Sequence, residues 1–184
     1  MALIQNEEME LVVEKMVKAV RAKAAQLGIK DGALAICYNN TPAFSEGSDE
    51  VAFEDLKAGE DRLRVFRLHP KGSHIVRDED GAELYQCFGI VAMKIAAAAK
   101  TYAKTQGKCI LSSEGDETDN IPGRVNWGGC VRYPIFINPD QHCANIYVSV
   151  SGGTDEEDEL CAWAALKPIQ RYLAYCYPRI PAKY

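Results

Sequence analysis

The stretch Asn145 to Leu166, NIYVSVSGGTDEEDELCAWAAL, constrains this chain more than any other. It reads as a strand, a glycine turn and an acid-capped helix, with almost no slack between them. Over Cys143 to Ser151, residues Ala144, Ile146, Val148 and Val150 share one face, and Asn145, Tyr147 and Ser149 share the other. That period of two is expected of a half-buried antiparallel strand. Ser151, Gly152 and Gly153 then form a tight turn. Thr154-Asp-Glu-Glu157 is a capping box, in which the Thr hydroxyl accepts the N3 amide and Glu157 reaches back to the Thr amide.

The remaining elements follow from pattern. Glu7 to Leu27 reads as an amphipathic helix, with Met9, Val13, Met16, Val20, Ala24 and Leu27 on one face. Asn6 is placed to cap it, acidic residues favour its first turn, and Gly28 is a natural C′ residue. Ala33 to Tyr38 is a short buried strand. An acidic stretch follows, residues 39–62, expected as a loop insertion. Leu63 to Leu68 and Ser73 to Arg77 flank His69-Pro-Lys-Gly72 and predict a hairpin. Asp80-Gly-Ala-Glu83 predicts the start of a second helix that runs to about Thr105. That helix is apolar nearly all round until Lys94, so it should be buried on more than one face or packed on another subunit. Lys108 to Leu111 reads as a strand, followed by a polar loop over 112–123. Val131 to Ile137 and Cys143 to Ser151 are strands joined by Asn138-Pro-Asp-Gln-His142. Pro168 cannot continue the last helix unbroken and suits the first turn of a separate segment over Pro168 to Cys176. Helices alternating with hairpin-linked strands predict an α+β fold, an antiparallel β-sheet packed with helices in layers.

The length, 184 residues, suits one domain spanning 1–184. The formal net charge is −5 with no Lys/Arg run, which argues against nucleic acid and against anionic lipid. No apolar run reaches the roughly 18 residues of a membrane span, and Met1 to Glu8 has no basic n-region, so the expected location is the cytoplasm. The seven cysteines lack any C-x-x-C pairing and read as buried reduced thiols. Cys130, after a flexible glycine pair, is the candidate for a reactive thiol, and His142 is its candidate base.

Val150-Ser-Gly-Gly-Thr-Asp-Glu-Glu-Asp158, followed by Ala162, resembles the V-S-G-G-T-x-E-Q-D-x-x-x-A signature of GlcG/HbpS-like proteins, a family of haem-degrading or haem-binding proteins. Gly128-Gly129-Cys-Val-Arg-Tyr-Pro134-Ile135 is similar to that family's G-G-x-P segment, with extra residues before the proline. Ala92-Met-Lys94-Ile-Ala-Ala97 resembles its A-x-K-A-x-x-A helix, and Ala24 to Tyr38 looks like its first helix running into its first strand. The likeness covers about two thirds of the chain and is specific only around residues 148 to 162. The family's V-V-D-x-x-G hairpin is replaced here by Cys37-Tyr-Asn-Asn-Thr-Pro42 and the acidic insertion. The resemblance implies a profilin-like form of the α+β fold, a closed homo-oligomer, and a tetrapyrrole or other small ligand.

The candidate site residues fall into two sets. Gly128, Gly129, Ser151, Gly152, Gly153, Thr154 and Asp158 belong to the turn and cap. Asp158 is expected to accept hydrogen bonds from turn amides. The turn itself reads first as a structural junction, because the carboxylates of Asp155 to Glu159 already answer the helix dipole and would repel phosphate. It could also line a ligand pocket. The second set would ligate haem if haem binds: His74, then His69, then Tyr38, with Cys130 as a further ligand-binding candidate, since haem iron accepts His, Cys, Met or Tyr. No His stands in an H-x-x-x-H or H-E-x-x-H pattern. Asp116, Glu117, Asp119 and Asn120 do not fit a calcium loop. Three readings stay open: a small-molecule binding protein, a non-catalytic oligomeric module, or an enzyme using Cys130 or a histidine.

Overall fold

The computed structural model describes residues 6–39, 63–77, 79–104, 128–138 and 141–170. The acidic stretch 40–62, the strand expected over Lys108 to Leu111, the acidic group Asp116 to Asn120 and the segment beyond residue 170 lie outside the described residues. Among the described residues ten elements appear in order: α1 (Asn6–Leu27), β1 (Ala33–Asn39), β2 (Leu63–Arg67), β3 (Ile75–Arg77), β4 (Glu83–Gln86), α2 (Cys87–Lys104), β5 (Cys130–Asn138), β6 (Gln141–Ser151), α3 (Asp155–Trp163) and α4 (Leu166–Ile169). Four strands form an antiparallel sheet in the order β2-β1-β6-β5, and β3 and β4 form a separate antiparallel ribbon. The fold is α+β, as expected. Among the described residues, no helix is long and apolar enough to cross a membrane.

Helix α1 ends as its sequence dictates. Gly28 takes φ +78°, its amide bonds Ala25 O at 3.2 Å, and the Ile29 amide bonds Ala24 O at 3.0 Å. These are the two bonds of a Schellman cap, and they turn the chain straight into β1. Within β1 the side chains alternate. Leu34 and Ile36 join one core with Met16 and Val20 of α1, Val131 and Tyr133 of β5, Ile146, Val148 and Val150 of β6, Trp163 of α3 and Ile169 of α4. Ala33, Ala35 and Cys37 face the other way, onto Val91, Ile95, Ala96 and Ala98 of α2, with Cys130 and Tyr147. The sheet is therefore covered on both faces. Among the described residues β5 is an edge strand, where a proline such as Pro134 is tolerated.

Three expectations need correction. The hairpin predicted across His69 to Gly72 does not form: β2 pairs with β1, and β3 pairs with β4. Only the turn is real, with the Gly72 amide on His69 O at 2.9 Å. The helix expected from Glu83 starts at Cys87 instead, because Glu83 to Gln86 is claimed by β3 as its partner strand. Here Asp80-Gly81 acts as a hairpin turn, with Gly81 at φ +83° and its carbonyl accepting Arg77 Nη1 at 2.9 Å. Finally, β6 is not half-buried: Asn145, Tyr147 and Ser149 are as buried as Ile146 and Val148, because α2 lies over them.

Two expectations at the C-terminal end hold. The capping box of Thr154 is present in both halves, the Glu157 amide donating to Thr154 Oγ1 at 3.3 Å and the Thr154 amide donating to Glu157 Oε2 at 2.9 Å. Pro168 does fall in the first turn of a separate short helix, α4, although that helix begins at Leu166.

Candidate functional site

The Ser-Gly-Gly turn is closed from inside by one carboxylate. Asp158, on the first turn of α3, is 1% exposed. Its Oδ1 accepts the Gly153 amide at 2.9 Å, and the Gly152 amide also contributes. Its Oδ2 accepts Lys94 Nζ at 2.9 Å, and the same ammonium donates to Val150 O at 2.9 Å. Lys94 comes from α2, on the far side of the strand end, so one buried ion pair ties α2, β6 and α3 together. Burial pushes the Asp158 carboxyl above the ordinary carboxylate range, while Lys94 and the turn amides pull it back.

The glycine pair before β5 packs on the same point. Gly129 adopts φ +102°, and a methyl there would sit 2.5 Å from Asp158 Cβ and 2.8 Å from Val150 O. A methyl on Gly128 would meet Asp155 Cβ at 2.9 Å. Only residues without a Cβ let the backbone pass this close. The structure thus gathers Gly128, Gly129, Ser151, Gly152, Gly153, Thr154 and Asp158 into one junction. It adds Lys94, whose role the sequence reading missed. The signal was present: Lys94 stands three and four residues after Val91 and Ile90, on the stripe that must be buried, so it needed an acid partner. Because the turn amides are already spent on Asp158, the turn is a structural junction and not an anion cradle.

The other set of candidates does not converge. Tyr38 packs against the α1 face of the sheet and Cys130 lies in the α2 face. Cys130 is fully buried, and desolvation pushes its thiol far above the usual range; burial raises Cys87 too and takes Cys161 to about 12. Such thiols are inert. The register sets His142 opposite Phe136 and Cys130 opposite Ser149, which separates the two by about 20 Å along β5 at strand rise, so no thiol–base pair forms. His69 is exposed, and its Nδ1 accepts the Lys71 amide at 3.2 Å. His74 stacks on Phe88 with centroids 4.3 Å apart. Among the described residues no group of three or more His, Cys, Asp or Glu side chains could hold a metal ion.

A cleft opens on the outer side of the turn. It has a volume of about 600 Å³ and is bounded by the end of α1 and its cap, the ribbon strand β3, and Gly152 with Gly153. Leu27, Ile29, Ile75 and Val76 supply apolar wall, and Lys30 and Arg77 supply charge. Among the described residues, none of the lining side chains is a His, Cys, Met or Tyr. The residues present at this cleft therefore do not fit haem iron.

No family model matches this chain, and no curated protein matches it. Among solved structures, protein ORFY of Klebsiella pneumoniae, of family DUF336, aligns over 87% of this chain and 88% of its own, at 21% identity and a TM-score of 0.45.

Proposed function

We propose that this protein binds a small molecule in the cleft beside the Ser-Gly-Gly turn. One observation carries the reading: segments far apart in the chain converge on a concavity of about 600 Å³ with mixed apolar and charged lining. Ligand sites are typically concave and roughly 300–1,000 Å³ in volume, with a few placed polar groups. The buried Lys94–Asp158 pair supports it further, because it holds one wall of the cleft rigid from behind. The motif resemblance around residues 148 to 162 points the same way, toward a ligand-binding family of profilin-like form. A tetrapyrrole held through iron finds no support at this cleft, for want of an axial ligand there. The test is native mass spectrometry of the purified full chain, followed by thermal melts with any retained compound. A retained compound that raises the melting temperature of the wild type but not of an Ile75→Glu variant supports the proposal. A compound that protects both equally places the site elsewhere.

A second reading, a homo-oligomeric assembly module, is favoured by the outer side of β2. Among the described residues that strand is a sheet edge, and Val65 on it is 37% exposed, while Leu11 of α1 is 50% exposed. An unpaired edge is a template for a second strand. Light scattering across a concentration series, with Val65→Lys as the edge-breaking variant, decides it: a mass that stays monomeric throughout ends this reading.

A further inference from the structure

The charges around the cleft are not equivalent, because some are already engaged. Asp31 Oδ1 accepts the Ser73 amide at 2.6 Å. Glu157 Oε2 accepts the Thr154 amide at 2.9 Å. The amides of Gly152 and Gly153 go to Asp158. Those acceptor oxygens and turn amides are thus committed to the fold, as is Ser73 Oγ, which donates to Ile75 O at 3.0 Å. The Lys30 and Arg77 side-chain donors are not. Arg77 spends Nη1 on Gly81 O, which leaves most of its fork, and Lys30 makes no hydrogen bond among the described residues. The cleft offers uncommitted donors on two sides and apolar side chains between them.

We infer that the cleft selects a small molecule with an apolar body and a single anionic head, a monocarboxylate being the class that fits, and that Lys30 and Arg77 meet the head. This rests on the cleft being the binding site. The wall groups Leu27, Ile29, Ile75 and Val76 take the body. Arg and Lys hold a carboxylate through charge-assisted bonds. A second negative charge is disfavoured, because Asp31 and Glu157 place carboxyl groups in the lining and Asp155 and Glu156 stand beside them on the first turn of α3. That sets a monoanion above a phosphate monoester.

Two dyes of one ring system test the head. The probe 8-anilinonaphthalene-1-sulfonate carries one negative charge, and N-phenyl-1-naphthylamine carries none. The full-length wild type should bind the sulfonate saturably and about tenfold tighter than the neutral dye, the worth of one charge-assisted contact at a partly exposed site. Lys30→Gln/Arg77→Gln should abolish that preference and leave the neutral dye unchanged. In displacement, 1-naphthoate should outcompete 1-naphthyl phosphate. Ile75→Glu and Leu27→Glu, on separate walls, should weaken both dyes, and either folded variant suffices. If these wall variants weaken both dyes but the double variant keeps its preference for the sulfonate, the ligand class is wrong and the cleft stands. If neither wall variant affects either dye, the cleft itself is not the site. Better displacement by the phosphate overturns the monoanion assignment.

Discussion

The two faces of the four-stranded sheet are held by different physics. Toward α1, α3 and α4 the core is built from large apolar side chains, Met16, Leu34, Ile146, Trp163 and Ile169 among them. Its polar handle there is Tyr133, whose hydroxyl donates to Ala162 O at 2.8 Å while the ring meets Trp163 edge-on at 5.7 Å. Toward α2 many of the facing residues are small, Ala33, Ala35, Cys37, Cys130, Ala96 and Ala98, with Ile95 and Tyr147 as larger members. That close approach buries polar groups as well, including Lys94, Ser149, Asn145 and Arg132, whose Nη1 donates to Asn145 Oδ1 at 2.7 Å. The first face gains from area removed from water, which is non-directional. The second depends on geometry, since each buried polar group must meet its partner. A face of volume tolerates swaps of similar size, whereas a face of fitted polar contacts does not.

The sharpest test of this contrast is Lys94→Met. It leaves Asp158 buried without its cation, which costs about 3–5 kcal/mol. Adding Asp158→Asn, which removes the stranded charge but keeps an acceptor for the Gly153 amide, should recover much of that loss. The double variant separates the pair's stability from its geometry. The deficit of Lys94→Met should also depend on pH. Burial holds the Asp158 carboxyl above its ordinary range, and Lys94 is the largest opposing pull. A raised pKa means the folded protein keeps this proton to a higher pH than the unfolded chain. The stabilisation it brings is complete below the unfolded pKa and is lost as pH rises through the folded one. Without Lys94 the shift grows, so the variant should be closest to wild type in acid and fall further behind toward neutrality. Urea melts at several pH values would read this, and a constant deficit would mean that Asp158 is not the group left unpaired.

Next in size are core substitutions that should reverse sign of preference between the faces. Leu34→Ala opens a cavity under α1 and should cost about 2–5 kcal/mol. Ala96→Leu overfills the α2 face and should cost about 1–3 kcal/mol through strain. If Ala96→Leu proves neutral in a denaturant melt, α2 does not lie as close to the sheet as the small residues imply.

The same division explains what could be read in advance. The α1 face was legible: Met16, Val20 and Ala24 recur at helical spacing, and the alternation in β6 puts Ile146, Val148 and Val150 together. So was the turn and cap, because Gly28 and the Thr154 box act through local bonds. The α2 face was not. Asn145 and Ser149 look solvent-bound by period alone, and only a second layer from elsewhere in the chain buries them. Asp80 to Glu83 has a helix-start pattern, but β3 claims Glu83 to Gln86 as its partner strand and overrides it. The cleft was missed for a similar reason. Lys30, Ser73 and Arg77 carry no motif, and they become neighbours only when β1 and the β3–β4 ribbon bring the α1 cap beside the Gly152–Gly153 turn.

The smallest expected effect lies at the joint between the two faces. Thr154→Ala removes the hydroxyl that accepts the Glu157 amide at 3.3 Å, but not the Thr154 amide that donates to Glu157 Oε2. Half of the capping box survives. The residue is exposed, so water can replace the lost acceptor, and the cost should stay near 1 kcal/mol. Thr154→Ser should restore nearly all of it. The argument about the faces requires this cap to be much weaker than the ion pair behind it, because Asp158 holds the same turn from the buried side through Gly153 and Lys94. Chemical denaturation of Thr154→Ala, Lys94→Met and their combination measures the ranking. Near-additive losses with the larger share on Lys94 fit a turn held from inside. A Thr154→Ala loss as large as that of Lys94→Met would show that the surface cap, and not the buried pair, holds the junction.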